Sequence, residues 1–136
     1  MGGYEILEHT ADVGVRAHGQ DLEECFRQAA TALVEIIGIT RPGAGRRFPI
    51  ELASDDPGAL LVDWLSEILY LHDVHDAVVT GIEVDAVSGN DLRGSLTLVP
   101  RGDAEIEGVQ VKAVTYHQLD VRRSDGDWVA EVYFDI

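Results

Sequence analysis

The sequence contains little cysteine, little lysine and no long apolar run. Cys25 is the one cysteine, so an internal disulfide is excluded and a reducing compartment is indicated. No apolar stretch approaches the ~18 residues that a membrane-spanning helix needs. The N-terminus also lacks a basic segment followed by an apolar one, which is the pattern of a secretory signal peptide. We therefore expect a cytoplasmic protein that does not contact a membrane.

Basic residues are scarce beside acidic ones. The chain has 10 of the former and 25 of the latter, which gives a formal net charge of −15. All of the basic residues are arginines except Lys112. A field of this sign repels nucleic acid and anionic membranes, and it attracts cations and basic protein surfaces. The composition therefore argues against direct nucleic-acid binding, although a charged surface that serves only solubility has the same composition.

Hydrophobic periodicity predicts two amphipathic helices within a single domain. The 136 residues, 46% of them hydrophobic, are enough to build one core. The first helix begins at Asp21, which can cap its first turn, and ends at Gly38. The second begins at Asp56, which is followed by Pro57. Its predicted core face consists of Leu60, Leu61, Trp64, Leu65, Ile68 and Leu71.

The remaining apolar residues alternate with polar ones and predict strands. The predicted strands are residues 4–7, 13–18, 48–52, 78–87, 92–99, 109–121 and 128–136. The last four form two hairpins. This order of elements predicts an α+β fold, with two helices packed on one face of a largely antiparallel β-sheet. We expect a single two-layer domain over residues 1–136.

Two aspartates near opposite ends of the chain are candidates for a cation site. Asp12 lies between the first two strands, and Asp135 points away from the core face of the last one. If they converge, two carboxylates a few ångströms apart need a cation in order to stay ionised. With the main chain of Ile136 all donors are oxygens, which favours Ca²⁺, Mg²⁺ or Mn²⁺. The alternative is that Asp12 caps a turn and Asp135 is solvated.

Several other polar residues have both a functional and a structural interpretation. His9 and His117 can each ligate a metal, act as a base or be packed. Lys112 lies off the apolar face of strand 109–121, where it steers an anion, pairs with an aspartate or is simply an exposed sheet lysine. His72 and His75 have metal-ligand spacing, but histidines at a helix C-terminus also favour the helix dipole.

Four ordered motifs together resemble the archease family. They are His9-Thr10-Ala11-Asp12-Val13-Gly14, Trp64-Leu65-Ser66-Glu67-Ile68-Leu69-Tyr70, Val111-Lys112-Ala113-Val114-Thr115-Tyr116-His117 and Phe134-Asp135-Ile136. The likeness spans essentially the whole chain. It implies a non-catalytic accessory protein that activates an RtcB-type RNA ligase in tRNA splicing and RNA repair. The activator would promote guanylylation of the ligase, and so its multiple turnover.

The resemblance also implies which residues carry this function. Asp12, Asp135 and Ile136, the last through its main chain, fall on the family's metal site, for which Ca²⁺ is the expected ion. Lys112 falls on the family's functional lysine. Gln110 stands where we expect an acidic residue in the family, and this difference bears on how the ligase is contacted.

A second class of function stays open on the residues alone. Asp12, His9 and His117 around a cation would suit a stand-alone metal-dependent hydrolase that acts on phosphate esters. The two classes differ in whether the protein turns over a substrate without a partner.

Overall fold

Two helices and nine strands make up the described part of the chain. A computed structural model describes residues 2–8, 12–40 and 44–136. The helices are α1 (Leu22–Ile37) and α2 (Pro57–Val74), and within the described ranges no helix is long and apolar enough to cross a membrane. The strands are β1 (Gly3–Glu8), β2 (Asp12–Gly19), β3 (Ile39–Thr40), β4 (Arg46–Ala53), β5 (Ala77–Ser88), β6 (Asp91–Pro100), β7 (Glu105–Ile106), β8 (Ala113–Ser124) and β9 (Asp127–Asp135).

The strands form antiparallel sheets. The largest has the strand order β1-β2-β9-β8, the next has the order β4-β6-β5, and β3 pairs with β7. Every one of these pairings is antiparallel. The predicted α+β fold is confirmed, but the described strands divide among three sheets instead of forming one. In the largest sheet β9 pairs with β2 on one side and with β8 on the other, whereas the hairpin of β5 and β6 pairs with β4 in a separate sheet.

Both helices begin where the sequence predicts, and α1 ends there too. The side chain of Asp21 accepts a hydrogen bond from the amide of Glu24, and Asp56 accepts one from the amide of Ala59. Gly38 follows the last residue of α1 in the left-handed conformation, with a φ of 75°. These local signals are sufficient to place the helices along the chain.

One hydrophobic core joins the helices to one face of the largest sheet. The predicted core face of α2 is buried throughout. The sheet contributes Val13, Val15, Ala17, Ala130, Val132 and Phe134 to the same core. Side chains alternate along a strand, so the intervening residues of β2 and β9 point the other way. We call this opposite side the outer face; it carries Asp12, Gly14, Arg16, Glu131, Tyr133 and Asp135.

Strand β8 differs from its prediction in start and in register. It begins at Ala113 and not at Val109, which is 41% exposed. In an uninterrupted alternation Val114 would share the face of Lys112, away from the core, but it packs against the core. The pairing with β9 jumps from Thr115 to Asp120. At this irregularity the residues that face the core change from the even-numbered to the odd-numbered positions. The alternation predicted from the sequence is therefore correct only after the jump.

The chain between β7 and β8 folds back onto the C-terminal end of α1. The amides of Glu107, Gly108 and Val109 donate hydrogen bonds to the carbonyls of Gly38, Ile37 and Ile36, with distances of 2.8, 3.0 and 3.0 Å. Carbonyls at a helix end have no partners within the helix, and the last turn of α1 has no basic residue to complement them. The loop 107–109 therefore caps α1, and it also sets the path of the chain into Lys112.

Replacing Gly108 by alanine should destabilise the fold. A Cβ atom there would lie 2.2 Å from the carbonyl oxygen of Ile36, so the loop would have to move off the helix. We expect the free energy of unfolding, measured with a chemical denaturant, to fall by about 1–3 kcal/mol. Gly102→Ala is the matched control, because no atom lies within 4 Å of its added Cβ. Equal losses in the two variants would contradict the capping contact.

Candidate functional site

Asp12 and Asp135 lie directly opposite each other on neighbouring strands. Asp12 is the first residue of β2, Asp135 is the last of β9, and the two are partners in the register of the sheet. Opposed residues of antiparallel strands project to the same face, with Cβ atoms about 4.5–5.5 Å apart. The two carboxylates that the sequence singles out are therefore brought together at one end of the outer face.

The two carboxylates have different surroundings. Asp135 is exposed, whereas Asp12 is partly buried, and its Oδ1 atom is shielded from water without a hydrogen-bond partner in the described structure. A buried anionic oxygen without a donor is costly, and repulsion from the opposite carboxylate adds to the cost. A bound cation removes both penalties. The unpartnered oxygen of Asp12 is thus a structural observation that fits a cation site.

Ile136 can add a third oxygen to this pair. Its side chain packs against the core, which holds its main chain beside Asp135. Together with Asp12 the donors are all oxygens, a set suited to Ca²⁺, Mg²⁺ or Mn²⁺. Among residues 2–8, 12–40 and 44–136, no three side chains of His, Cys, Asp or Glu are grouped to hold a metal. Main-chain oxygen and water would therefore have to complete the coordination.

The backbone of Lys112 is held beside that of Asp135. Its amide donates a hydrogen bond of 2.8 Å to the carbonyl of Asp135. The lysine side chain is exposed, whereas the preceding Val111 is buried. Lys112 thus lies just before β8 and not within it, but away from the core as predicted. Its ammonium group takes part in none of the ion pairs found within the described part of the chain.

The two histidines considered as ligands or bases are placed differently. His9 lies outside the described residues, and its role stays a prediction. His117 is exposed, and its ring meets that of Tyr133 edge-on, with centroids 6.2 Å apart and an interplanar angle of 66°. Since Tyr133 belongs to the outer face, His117 lies on the same side of the sheet as the carboxylate pair.

The two histidines near the end of α2 differ in burial. His72 is buried, and its Nε2 atom accepts a hydrogen bond of 3.2 Å from the amide of Val79. Burial lowers the pKa of His72, and the nearby Arg101 lowers it further, so the ring is neutral at pH 7. The ring of His75 packs edge-on against Tyr70, with centroids 5.5 Å apart. Packing therefore accounts for His72, whereas His75 is exposed.

Cys25 is fully enclosed by the core. Its Sγ atom lies 3.7 Å from the carbonyl oxygen of Ala17. Burial raises the pKa of the thiol to about 12, and the neighbouring Glu24 contributes to the rise. The thiolate is therefore scarce at neutral pH, which is unsuited to nucleophilic chemistry.

The packing on the outer face cannot be read from sequence patterns. Tyr133 is 7% exposed although it points away from the helices. Gly14 is its register partner, and a Cβ atom there would come within 2.5 Å of the tyrosine ring. A glycine opposite an aromatic residue is the one signal of this contact, and it becomes visible only when the strand register is known.

The chain resembles known proteins over nearly its whole length. Residues 4–136 match the model of the Archease protein family (MTH1598/TM1083). Protein archease of Methanosarcina mazei is 37% identical, over 98% of this chain and 95% of the relative. Protein archease of Methanothermobacter thermautotrophicus is 36% identical, over 100% of both chains.

Two solved structures share the fold. The solution structure of protein 1598 of Methanobacterium thermoautotrophicum has a TM-score of 0.72 and 32% identity, and the match covers 98% of this chain and 99% of that one. The crystal structure of an archease, possible chaperone, from Thermotoga maritima has a TM-score of 0.70, with 96% and 94% covered. Its identity is 24%, so this likeness concerns the fold alone. By the family match and the identities to its relatives, the chain belongs to the archease family.

Proposed function

We propose that this protein activates an RtcB-type RNA ligase in tRNA splicing and RNA repair. It would promote guanylylation of the ligase, and so its multiple turnover, without catalysing a reaction itself. Family membership supports the class of protein. The observation in this chain that supports the proposal is the register that pairs Asp12 with Asp135, next to Ile136 and to Lys112, whose backbone amide binds the carbonyl of Asp135. We call these four residues the activation surface.

The charges of the activation surface suit a partner that holds a nucleotide. Lys112 offers an exposed ammonium, a compact charge that binds phosphate oxygens. A divalent cation held by Asp12, Asp135 and Ile136 would supply further positive charge beside it. The rest of the molecule, with a net charge of −15, repels free RNA and favours a basic protein surface. The nucleotide pocket of a ligase combines a basic surface with bound phosphates.

An accessory role also agrees with the state of the residues most able to do chemistry. The Cys25 thiol is buried with a raised pKa, and the Nε2 atom of His72 is engaged by a backbone amide. The Thermotoga maritima relative is described as a possible chaperone. A chaperone-like effect on the conformation of the ligase is therefore included in the proposal.

A guanylylation assay tests this function. We expect the protein to raise the rate at which an RtcB-type ligase, supplied with labelled GTP and Mn²⁺, incorporates nucleotide covalently. The stand-alone alternative predicts instead that the protein alone hydrolyses phosphate esters with a metal, and that His117→Ala removes this activity. Hydrolysis of that kind, combined with no effect on the ligase, would replace the proposed function.

A further inference from the structure

A buried aromatic ring adjoins the carboxylate pair on the outer face. Tyr133 precedes Asp135 by two positions on β9, and Gly14 follows Asp12 by two positions on β2. Gly14 and Tyr133 are register partners, as are the two aspartates. Side chains two positions apart share a face at a spacing of about 6.6–6.8 Å. The ring is therefore the next residue of the outer face after both carboxylates.

This ring is held on two sides. A Cβ atom at Gly14 would lie 2.5 Å from Cε2 and 2.8 Å from Cζ of Tyr133, so the ring rests directly on the backbone of β2. On the other side the imidazole of His117 meets the ring edge-on. Tyr133 is 7% exposed on this outer face.

Strand β8 adopts an irregular conformation where it makes this contact. Its pairing with β9 is interrupted after Thr115, and Gln118 takes a φ of 54°, in the left-handed region. That conformation is unfavourable for a residue other than glycine. The hydroxyl of Thr115 donates to the carbonyl of Tyr133 over 3.2 Å and accepts from the amide of His117 over 3.3 Å. Strain retained beside a polar site indicates a functional constraint.

We propose that Gly14, Tyr133 and His117 are positioning residues for the cation site. The ring, seated on Gly14 and braced by His117, shields Asp12 from water and directs its carboxylate towards Asp135. This inference rests on the proposed function, because it concerns the cation of the activation surface. If the ring moves, water reaches the unpartnered oxygen of Asp12 and satisfies it. The preorganised site then loses affinity for the cation.

Calorimetric titration with CaCl₂ tests the proposal in three variants. His117→Ala removes the exposed imidazole that contacts the ring of Tyr133. We expect this variant to bind Ca²⁺ roughly tenfold more weakly. Its thermal midpoint without Ca²⁺ should stay close to that of wild type. Gly14→Ala displaces the ring itself and should weaken the affinity at least as much. Tyr116→Ala is the matched control: this neighbouring aromatic residue is 63% exposed. We expect it to bind Ca²⁺ as wild type does.

Each outcome of these titrations either supports or overturns the positioning role of Gly14, Tyr133 and His117. Wild-type affinity in both His117→Ala and Gly14→Ala, or an equal loss in Tyr116→Ala, overturns the proposal. If Gly14→Ala does not fold, His117→Ala decides, since its side chain is exposed. Asp12→Ala in the same series shows whether the positioning proposal alone is wrong or whether the cation site is wrong as well. If Asp12→Ala is the one variant that loses Ca²⁺ binding, the cation site exists but the ring does not position it. If wild type does not bind Ca²⁺, both the cation site and the positioning role are refuted.

Discussion

Replacing Asp135 by alanine should remove Ca²⁺ binding, and replacing Asp12 should do the same. Each change deletes one of the two charged donors that the strand register places together. We expect the affinity to fall by roughly a hundredfold or more, because the number of charged ligands sets the affinity of oxygen-only sites. Calorimetric titration with Ca²⁺ and Mn²⁺ measures the loss. Asp127→Ala is the matched control, an exposed aspartate at the other end of the same strand.

The same variants should differ in stability in a way that depends on the cation. Without Ca²⁺, Asp12→Ala should not lower the free energy of unfolding, because it removes a buried oxygen that lacks a partner. With Ca²⁺ at a hundred times the wild-type Kd, wild type should gain about 2.7 kcal/mol, and Asp12→Ala should gain no more than about 0.4 kcal/mol. Denaturant titrations with and without CaCl₂ give both quantities. An equal gain in wild type and in both aspartate variants would place the cation elsewhere.

The helices can be predicted from the sequence because their signals are local. Asp21 and Gly38 lie at the ends of α1, and the conformation of each is decided by neighbours within a few residues. The division of the strands into three sheets cannot be predicted in this way. An alternating pattern records which face a side chain occupies, but it does not record which strand lies alongside.

Strand β8 shows the same limit at the level of single residues. The pattern predicts one uninterrupted alternation over residues 109–121, and Leu119 and Val121 do pack against the core. Val114 violates the pattern, because the jump in pairing after Thr115 changes which residues face inward. In the sequence, residues 107 and 108 are likewise predicted to belong to a polar loop, and residue 109 to the following strand. Their capping of α1 depends on carbonyls some seventy positions earlier in the chain.

The candidate site is predictable in its chemistry and not in its packing. The residue types alone single out Asp12 and Asp135, and the structure places them opposite each other. Their use as metal ligands stays a prediction. The contact between Gly14 and Tyr133 requires the register of two strands that are far apart in sequence, so no spacing rule can reveal it. The positions of Lys112 and Asp135 are linked by a backbone hydrogen bond, which leaves no trace in side-chain identity.

Replacing Lys112 by alanine should strongly reduce activation of the ligase and leave the protein folded. The side chain is exposed and the backbone bond to Asp135 does not depend on it, so the stability should change by no more than about 0.5 kcal/mol. Affinity for Ca²⁺ should equal that of wild type or rise slightly, because an ammonium opposes a nearby cation. Stimulated guanylylation should fall by about tenfold or more, since a hydrogen bond to a charged group contributes about 1.5–3 kcal/mol.

The assay measures covalent nucleotide incorporation into an RtcB-type ligase with GTP and Mn²⁺, using wild type and three variants. Asp135→Ala should lose both the cation and the stimulation of guanylylation, whereas Lys112→Ala should lose the stimulation while the cation stays bound. Arg93→Ala is the matched control, because it removes an exposed basic side chain from β6, in another sheet. Full stimulation by Lys112→Ala would make this residue an ordinary surface lysine. An equal loss in Arg93→Ala would assign the effect to overall charge, because the ligase would then respond to the field of the whole protein.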